Sequence, residues 1–187
     1  MKPTIKLTSC ILGAAIILAA FSGMGMAAES DTIDIHVSIA GNKSVLVSGD
    51  TYYDFGALDI NTSSVSASAI TVQNNSTVFI ETFTIQGNHA ISQTGGVDWT
   101  LNADGTPGAD IYALAAQFST ARPEDVDGSW ADDNTSQASA ITCSATTFGN
   151  GTEAQAGSNV ATSESRSLWF RLKTPTSVSC LLYTSPS

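Results

Sequence analysis

Eleven residues, Glu124-Asp125-Val126-Asp127-Gly128-Ser129-Trp130-Ala131-Asp132-Asp133-Asn134, hold five carboxylates and a side-chain amide. A calcium ion takes about six to eight oxygen ligands, so Glu124, Asp125, Asp127, Asp132 and Asp133 could supply most of a coordination sphere. Calcium is the one cofactor the sequence suggests. The match to a helix-loop-helix calcium loop fails, because Gly128 comes too early and no carboxylate follows at the closing position. The commoner fate of such an acidic run is to stay hydrated.

A second cluster is cationic. Trp169, Arg171 and Lys173 alternate with Leu168, Phe170 and Leu172, so on a strand the aromatic and both cations share one face. An exposed aromatic flanked by cations can stack on a sugar or anchor a partner protein. The plainer alternative is that Trp169 packs under a loop while the cations offset acidic neighbours.

Catalytic machinery finds little support. His36 falls on the polar face of an alternating run and His89 in a Gly-Asn-His turn, and a general base needs placed partners. There is no Gly-x-Ser-x-Gly elbow and no His-x-x-x-His pair. Cys143 alternates with Ile141 and Ala145, the pattern of a small buried side chain. The seventeen acidic residues allow a glycosidase pair only by chance. The expectation is a protein that is not an enzyme.

Strands must position these residues, because period-two alternation dominates. Ile33, Ile35, Val37 and Ile39 share a face, and Val45 and Val47 begin a second run. Gly56, after Tyr52-Tyr53-Asp54-Phe55, marks a bend or bulge before Leu58. Ile70 and Val72 form the next strand. Asn74-Asn75-Ser76 predicts a hairpin-like turn into Val78 to Ile85, with Phe83 and Ile85 on one face. Val97, Trp99 and Leu101 point inward before a loop carrying Gly105, Pro107 and Gly108. Tyr112, Leu114, Ala116 and Phe118 make the next apolar face; its alanines favour helix, but its surroundings favour strand. Ile141 and Cys143 follow. In the last run Leu168, Phe170 and Leu172 point inward, and Trp169, Arg171 and Lys173 outward. Two long loops, 120–136 and 149–164, separate these runs.

About seven to nine short strands without a convincing helix predict an all-β fold, an antiparallel β-sandwich in which two sheets bury their apolar faces together. Phe55-Gly56-Ala57-Leu58 followed by Ile70-Thr71-Val72-Gln73-Asn74 resembles the opening of secreted immunoglobulin-like domains, which often carry a phenylalanine-glycine step before a strand ending in Val-x-Asn. The resemblance implies an immunoglobulin-like sandwich and no particular activity.

Lys2 and Lys6, the apolar stretch from Ile11 to Phe21 and the small residues through Ala27 read as a signal peptide over 1–27. That stretch is too short to span a bilayer, and no transmembrane segment is expected in the mature chain. The expected location is secreted, extracellular or cell-surface, with the periplasm as the alternative. Loss of Lys2 and Lys6 leaves five of the seven basic residues against seventeen acidic ones, a net charge of −12. Nucleic acid and anionic membranes are poor partners for such a surface. Six Asn-x-Ser/Thr sequons open at Asn42, Asn61, Asn74, Asn75, Asn134 and Asn150, as a Ser/Thr-rich chain produces by chance.

Residues 28–179 suit one sandwich domain. Residues 180–187, Cys180-Leu181-Leu182-Tyr183-Thr184-Ser185-Pro186-Ser187, resemble a translated sequencing adapter, which implies a non-native tail on a gene from an uncultured microbe. The sandwich would then lack its C-terminal strand, leaving an open edge beside Leu168 to Lys173. The alternative is a native strand whose Cys180 pairs with Cys143. The function expected is a non-catalytic structural or adhesive subunit of a fibre, matrix or surface layer, partnered by its own copies or other extracellular proteins. Its rival is a carbohydrate-binding module that holds glycans through Trp169, Trp130 or the Tyr52-Tyr53 pair; a hydrolase comes third.

Overall fold

The computed structural model describes residues 43–48, 53–92 and 97–179. Contacts divide the chain into Met1–Ala40 and Gly41–Ser187, and every described residue lies in the second unit. The expected signal peptide over 1–27, the run from Ile33 to Ile39, Tyr52 and the stretch 180–187 lie outside the described residues.

The fold is all-β. Among the described residues eight strands carry it: β1 (Val45–Ser48), β2 (Ser63–Val65), β3 (Ile70–Asn74), β4 (Thr84–Ile85), β5 (Thr100–Leu101), β6 (Ile111–Phe118), β7 (Ile141–Thr142) and β8 (Ser165–Lys173). The helical pieces among the described residues are two short 3-10 turns, Asp127–Trp130 and Glu153–Gln155. No described helix is long and apolar enough to cross a membrane.

One sheet runs in the order β1-β3-β8-β6-β5, with β2 joining the β3 side of β8; β4 and β7 form a second sheet. The alternation in β6 and β8 sends Ala116, Phe118, Leu168 and Phe170 to one face. There they meet Val72, Phe83, Cys143, Phe148 and Val160, with Ile85 and Ile141 packed alongside. The short β4–β7 sheet is thus laid over one face of the large sheet, its Phe83 ring 5.9 Å from that of Phe118. The opposite face is covered too. Trp130, carried in on the loop after β6, packs with Val65, Ala115 and Trp169.

Four sequence expectations need correction. The large sheet is mixed, because β5 and β6 pair in parallel, Thr100 beside Ile111 and Leu101 beside Tyr112. The intervening loop is folded back by the Asn102 side chain, which donates to the Thr106 carbonyl and accepts from Asp104, with Gly105 at φ +73°. The hairpin after β3 does not form: β3 pairs with β1 and β8, and β4 pairs with β7. Asn74 turns inward instead, fully buried, donating to the carbonyls of Phe79 and Val160 and accepting from the Ser76 N–H. No open edge lies beside β8, which has β2 and β3 on one side and β6 on the other. Finally, β2 was not visible as an alternating run; it forms because the Lys173 end of β8 offers unpaired backbone groups beyond the reach of β3.

Candidate functional site

The acidic loop and the cationic strand face, two separate candidates in the sequence, come together. Val65 and Ala115 flank Arg171 in register on its two neighbouring strands, and the loop after β6 closes over that face. The Trp130 indole N–H donates to the Glu124 carbonyl at 2.8 Å, which pins the loop. Arg171 then reaches both aspartates: Nε donates to Asp125 Oδ1 and Nη1 to Asp127 Oδ1, each at 2.7 Å. Lys173 Nζ lies 2.7 Å from the same Asp127 oxygen and donates to the Gly105 carbonyl at 3.2 Å. Ser63 Oγ donates to Asp125 Oδ1 and accepts weakly from Arg171 Nη2. The hydrogen bond from Lys173, then that from Arg171, hold the Asp127 carboxyl below the usual carboxylate range.

Arg171 is only 6% exposed, which contradicts the outward placement read from alternation. The faces were assigned correctly; what covers the second face was not, because a loop without periodicity lies on it. Trp169 is half-buried, and its indole N–H donates to the Ser119 carbonyl at 2.9 Å. Trp130 is 2% exposed. Neither ring lies open as a stacking platform. Tyr53 accepts the Ala67 N–H through its hydroxyl and meets the Phe55 ring edge-on.

The five carboxylates do not converge. Asp125 and Asp127 turn to Arg171 and Lys173, whereas Glu124, Asp132 and Asp133 line an open cleft of about 420 Å³ with Gln117, Ser119 and Arg122. Among the described residues, no group of three His, Cys, Asp or Glu side chains is arranged to hold a metal ion. Cations of the chain itself thus hold two of the five carboxylates weighed as calcium ligands, Asp125 and Asp127.

Asp133, weighed in the sequence only as a calcium ligand, is buried beside Gln117, a pairing that sequence reasoning missed. Gln117, a lone amide inside the apolar run of β6, donates from Nε2 to Asp133 Oδ2 and to the Ser129 carbonyl, both at 2.6 Å. The Asp133 backbone carbonyl accepts from the Ala116 N–H at 3.0 Å. Asp133 Oδ1 is buried without a hydrogen bond of normal geometry. Burial, with a smaller contribution from Asp132, pushes the carboxyl up to about 6, although Gln117 and the nearby Phe148 and Gly149 amides pull the other way. The signal available in the sequence was Gln117 itself, because a polar residue inside a buried strand must find a partner.

Two further nucleophile or base candidates among the described residues, Cys143 and His89, have settled surroundings. Cys143 is 2% exposed, and burial, then the charge of Asp133, push its thiol up to about 12, far from a reactive thiolate. His89 is exposed and accepts the Leu101 N–H on Nδ1 at 2.9 Å. The Asn74 sequon is closed to modification in the folded chain, since its amide is wholly buried. Comparison with protein families, curated proteins and solved structures finds no match.

Proposed function

We propose that the protein is a non-catalytic, secreted structural or adhesive subunit of a fibre, matrix or surface layer. The observation that carries this reading is β1, which among the described residues ends the large sheet, with Val45, Leu46 and Val47 all exposed. An apolar edge strand is a template for pairing with another chain, and soluble monomers ordinarily blunt such edges with charge or proline. The internal pairing of Arg171 and Lys173 with Asp125 and Asp127 favours the same reading, because it spends the chain's cations on holding its own loop. Support for an immunoglobulin-like sandwich comes from the two sheets sharing one core; the parallel β5–β6 pair departs from it.

Sedimentation velocity over rising concentration tests the proposal. Reversible assembly that dilution undoes is the expected result, and a monomer at every concentration refutes it. A glycan-binding module is the second reading, favoured by the polar cleft lined by the exposed Glu124, Asp132 and Asn150, whose carboxylates and amide suit hydroxyls. Glycan-array binding by a monomer, abolished by Asp132→Ala, would establish that alternative.

A further inference from the structure

We infer that β1 pairs with β1 of a second copy across a two-fold axis, joining the two large sheets into one. This rests on the structural-subunit reading and names its contact. The Ser44 carbonyl accepts the Asn75 N–H at 2.8 Å, and Val45 lies opposite Asn74 in the β1–β3 register. Hydrogen-bonding direction alternates residue by residue in an antiparallel pair. Ser44, Leu46 and Ser48 therefore aim their backbone groups at β3, while Val45 and Val47 aim theirs at an edge that no other strand among the described residues pairs.

That edge is self-complementary. Ser44-Val45-Leu46-Val47-Ser48 reads the same in both directions. With Leu46 on the axis, Val45 opposes the partner subunit's Val47 and Val47 opposes the partner subunit's Val45, so each pair exchanges both of its N–H···O=C bonds. The side chains match as well. Valine meets valine on one face and leucine meets leucine on the other, covering residues that are 51%, 44% and 42% exposed in the single chain. An isologous contact requires one patch that fits itself, which this palindrome supplies.

Charge points to the same occupant. The chain carries −10 overall, yet residues 43–48 contain no carboxylate and one cation, Lys43. Two copies can approach along β1 without bringing carboxylates together, and the two Lys43 side chains fall at opposite ends of the paired strands. Pairing of so short a strand buries little area, so the contact is weak and concentration-dependent.

Sedimentation velocity on the protein and two variants is the test. Val47→Pro removes an N–H aimed at the second copy and none aimed at β3. Leu46→Lys sets like charges against each other on the axis. Each is expected to weaken dimerisation by about tenfold or more while leaving the circular-dichroism spectrum unchanged. An equimolar mixture of Leu46→Lys and Leu46→Glu should dimerise again, which a merely misfolded variant cannot do. If the protein assembles and both variants assemble equally well, the contact lies elsewhere; the inference falls and the subunit reading stands. A monomer whose Val45 and Val47 amides are protected from exchange means that another segment of the same chain holds the edge, which also overturns the inference. A protein that never assembles overturns both.

Discussion

The protein should lose stability between about pH 4 and pH 8, and Asp133→Asn should abolish that loss. The Asp133 carboxyl is raised from 3.8 to about 6, chiefly by burial. A group whose folded pKa is raised contributes stability that is fully present below the unfolded value and lost as pH rises through the folded one. The folded chain therefore holds a proton at Asp133 at pH 4 and gives it up near pH 6, leaving a charge with one oxygen unpartnered in the interior. Each decade of proton affinity is worth about 1.4 kcal/mol, so the loss approaches 3 kcal/mol, on the order of 6–12 °C in Tm for a domain this size. Carboxyls with lowered pKa, Asp127 and Glu164 among them, act with the opposite sign and in another window. Their stabilisation is present above the unfolded value near 4 and disappears only on further acidification. The window above pH 4 thus belongs to Asp133. Asparagine keeps an acceptor for Gln117 and cannot ionise, so the variant should be level across the window and more stable than the parent at pH 8. Urea unfolding followed by tryptophan fluorescence at several pH values measures both. A parent whose stability does not fall between pH 5 and pH 8, or a variant that falls equally, would show that water or a repositioned Phe148 or Gly149 amide already solvates the carboxylate.

Four shorter predictions probe the packing around it. Arg171→Ala should cost about 2 kcal/mol, mostly in packing and hydrogen bonds because the aspartates it leaves can reach water; a double-mutant cycle should show stronger coupling to Asp125, 36% exposed, than to Asp127, 77% exposed. Asn74→Ala removes three hydrogen bonds of a fully buried amide and should lower the unfolding free energy by about 3 kcal/mol in urea titration. Gly157→Ala would set a Cβ 2.5 Å from Phe118 Cε2, and thermal melts should show about 1–3 kcal/mol of destabilisation from overpacking. Cys143 should resist a thiol reagent until the domain opens, so its labelling rate should rise with urea in step with unfolding.

The strands were legible where one face alternates and the neighbours are few. Leu168 and Phe170, and Ala116 and Phe118, lie on the face that their spacing indicates, because a two-residue period follows from the pleat alone. Pairing order was not legible. The Asn102–Asp110 loop carries the turn residues of a hairpin, yet its internal hydrogen bonds fold the chain into a parallel start for β6. Asn74 shows the same limit at one residue. Asn-Asn-Ser reads as a turn because such side chains bond locally, and Asn74 does so through Ser76, but its amide also reaches Val160, 86 residues away. Local chemistry was read correctly, and the distant acceptor that buries the residue left no trace nearby.

The site was legible only in its separate parts, and the reason is electrostatic. Five basic residues lie beyond residue 27, and four of them, Arg122, Arg166, Arg171 and Lys173, are held by oxygens of the chain itself. A chain with so few cations and seventeen acidic residues meets its own carboxylates at high local concentration, whereas an outside ligand must first pay the cost of association. The acidic loop and the cationic strand therefore had to be weighed as partners for each other before either was weighed as a site for something else. Arg171 lies 46 residues from Asp125 and 44 from Asp127, a separation at which neither motif carries any sign of the other. Once they pair, the loop is tied across the Trp169 face, Trp130 is carried into the interior, and Asp133 is drawn down beside Gln117. The buried carboxylate near pH 6 follows from closing the loop, and the apolar β1 edge, two strands from β8 in the sheet, takes no part in this charge pairing.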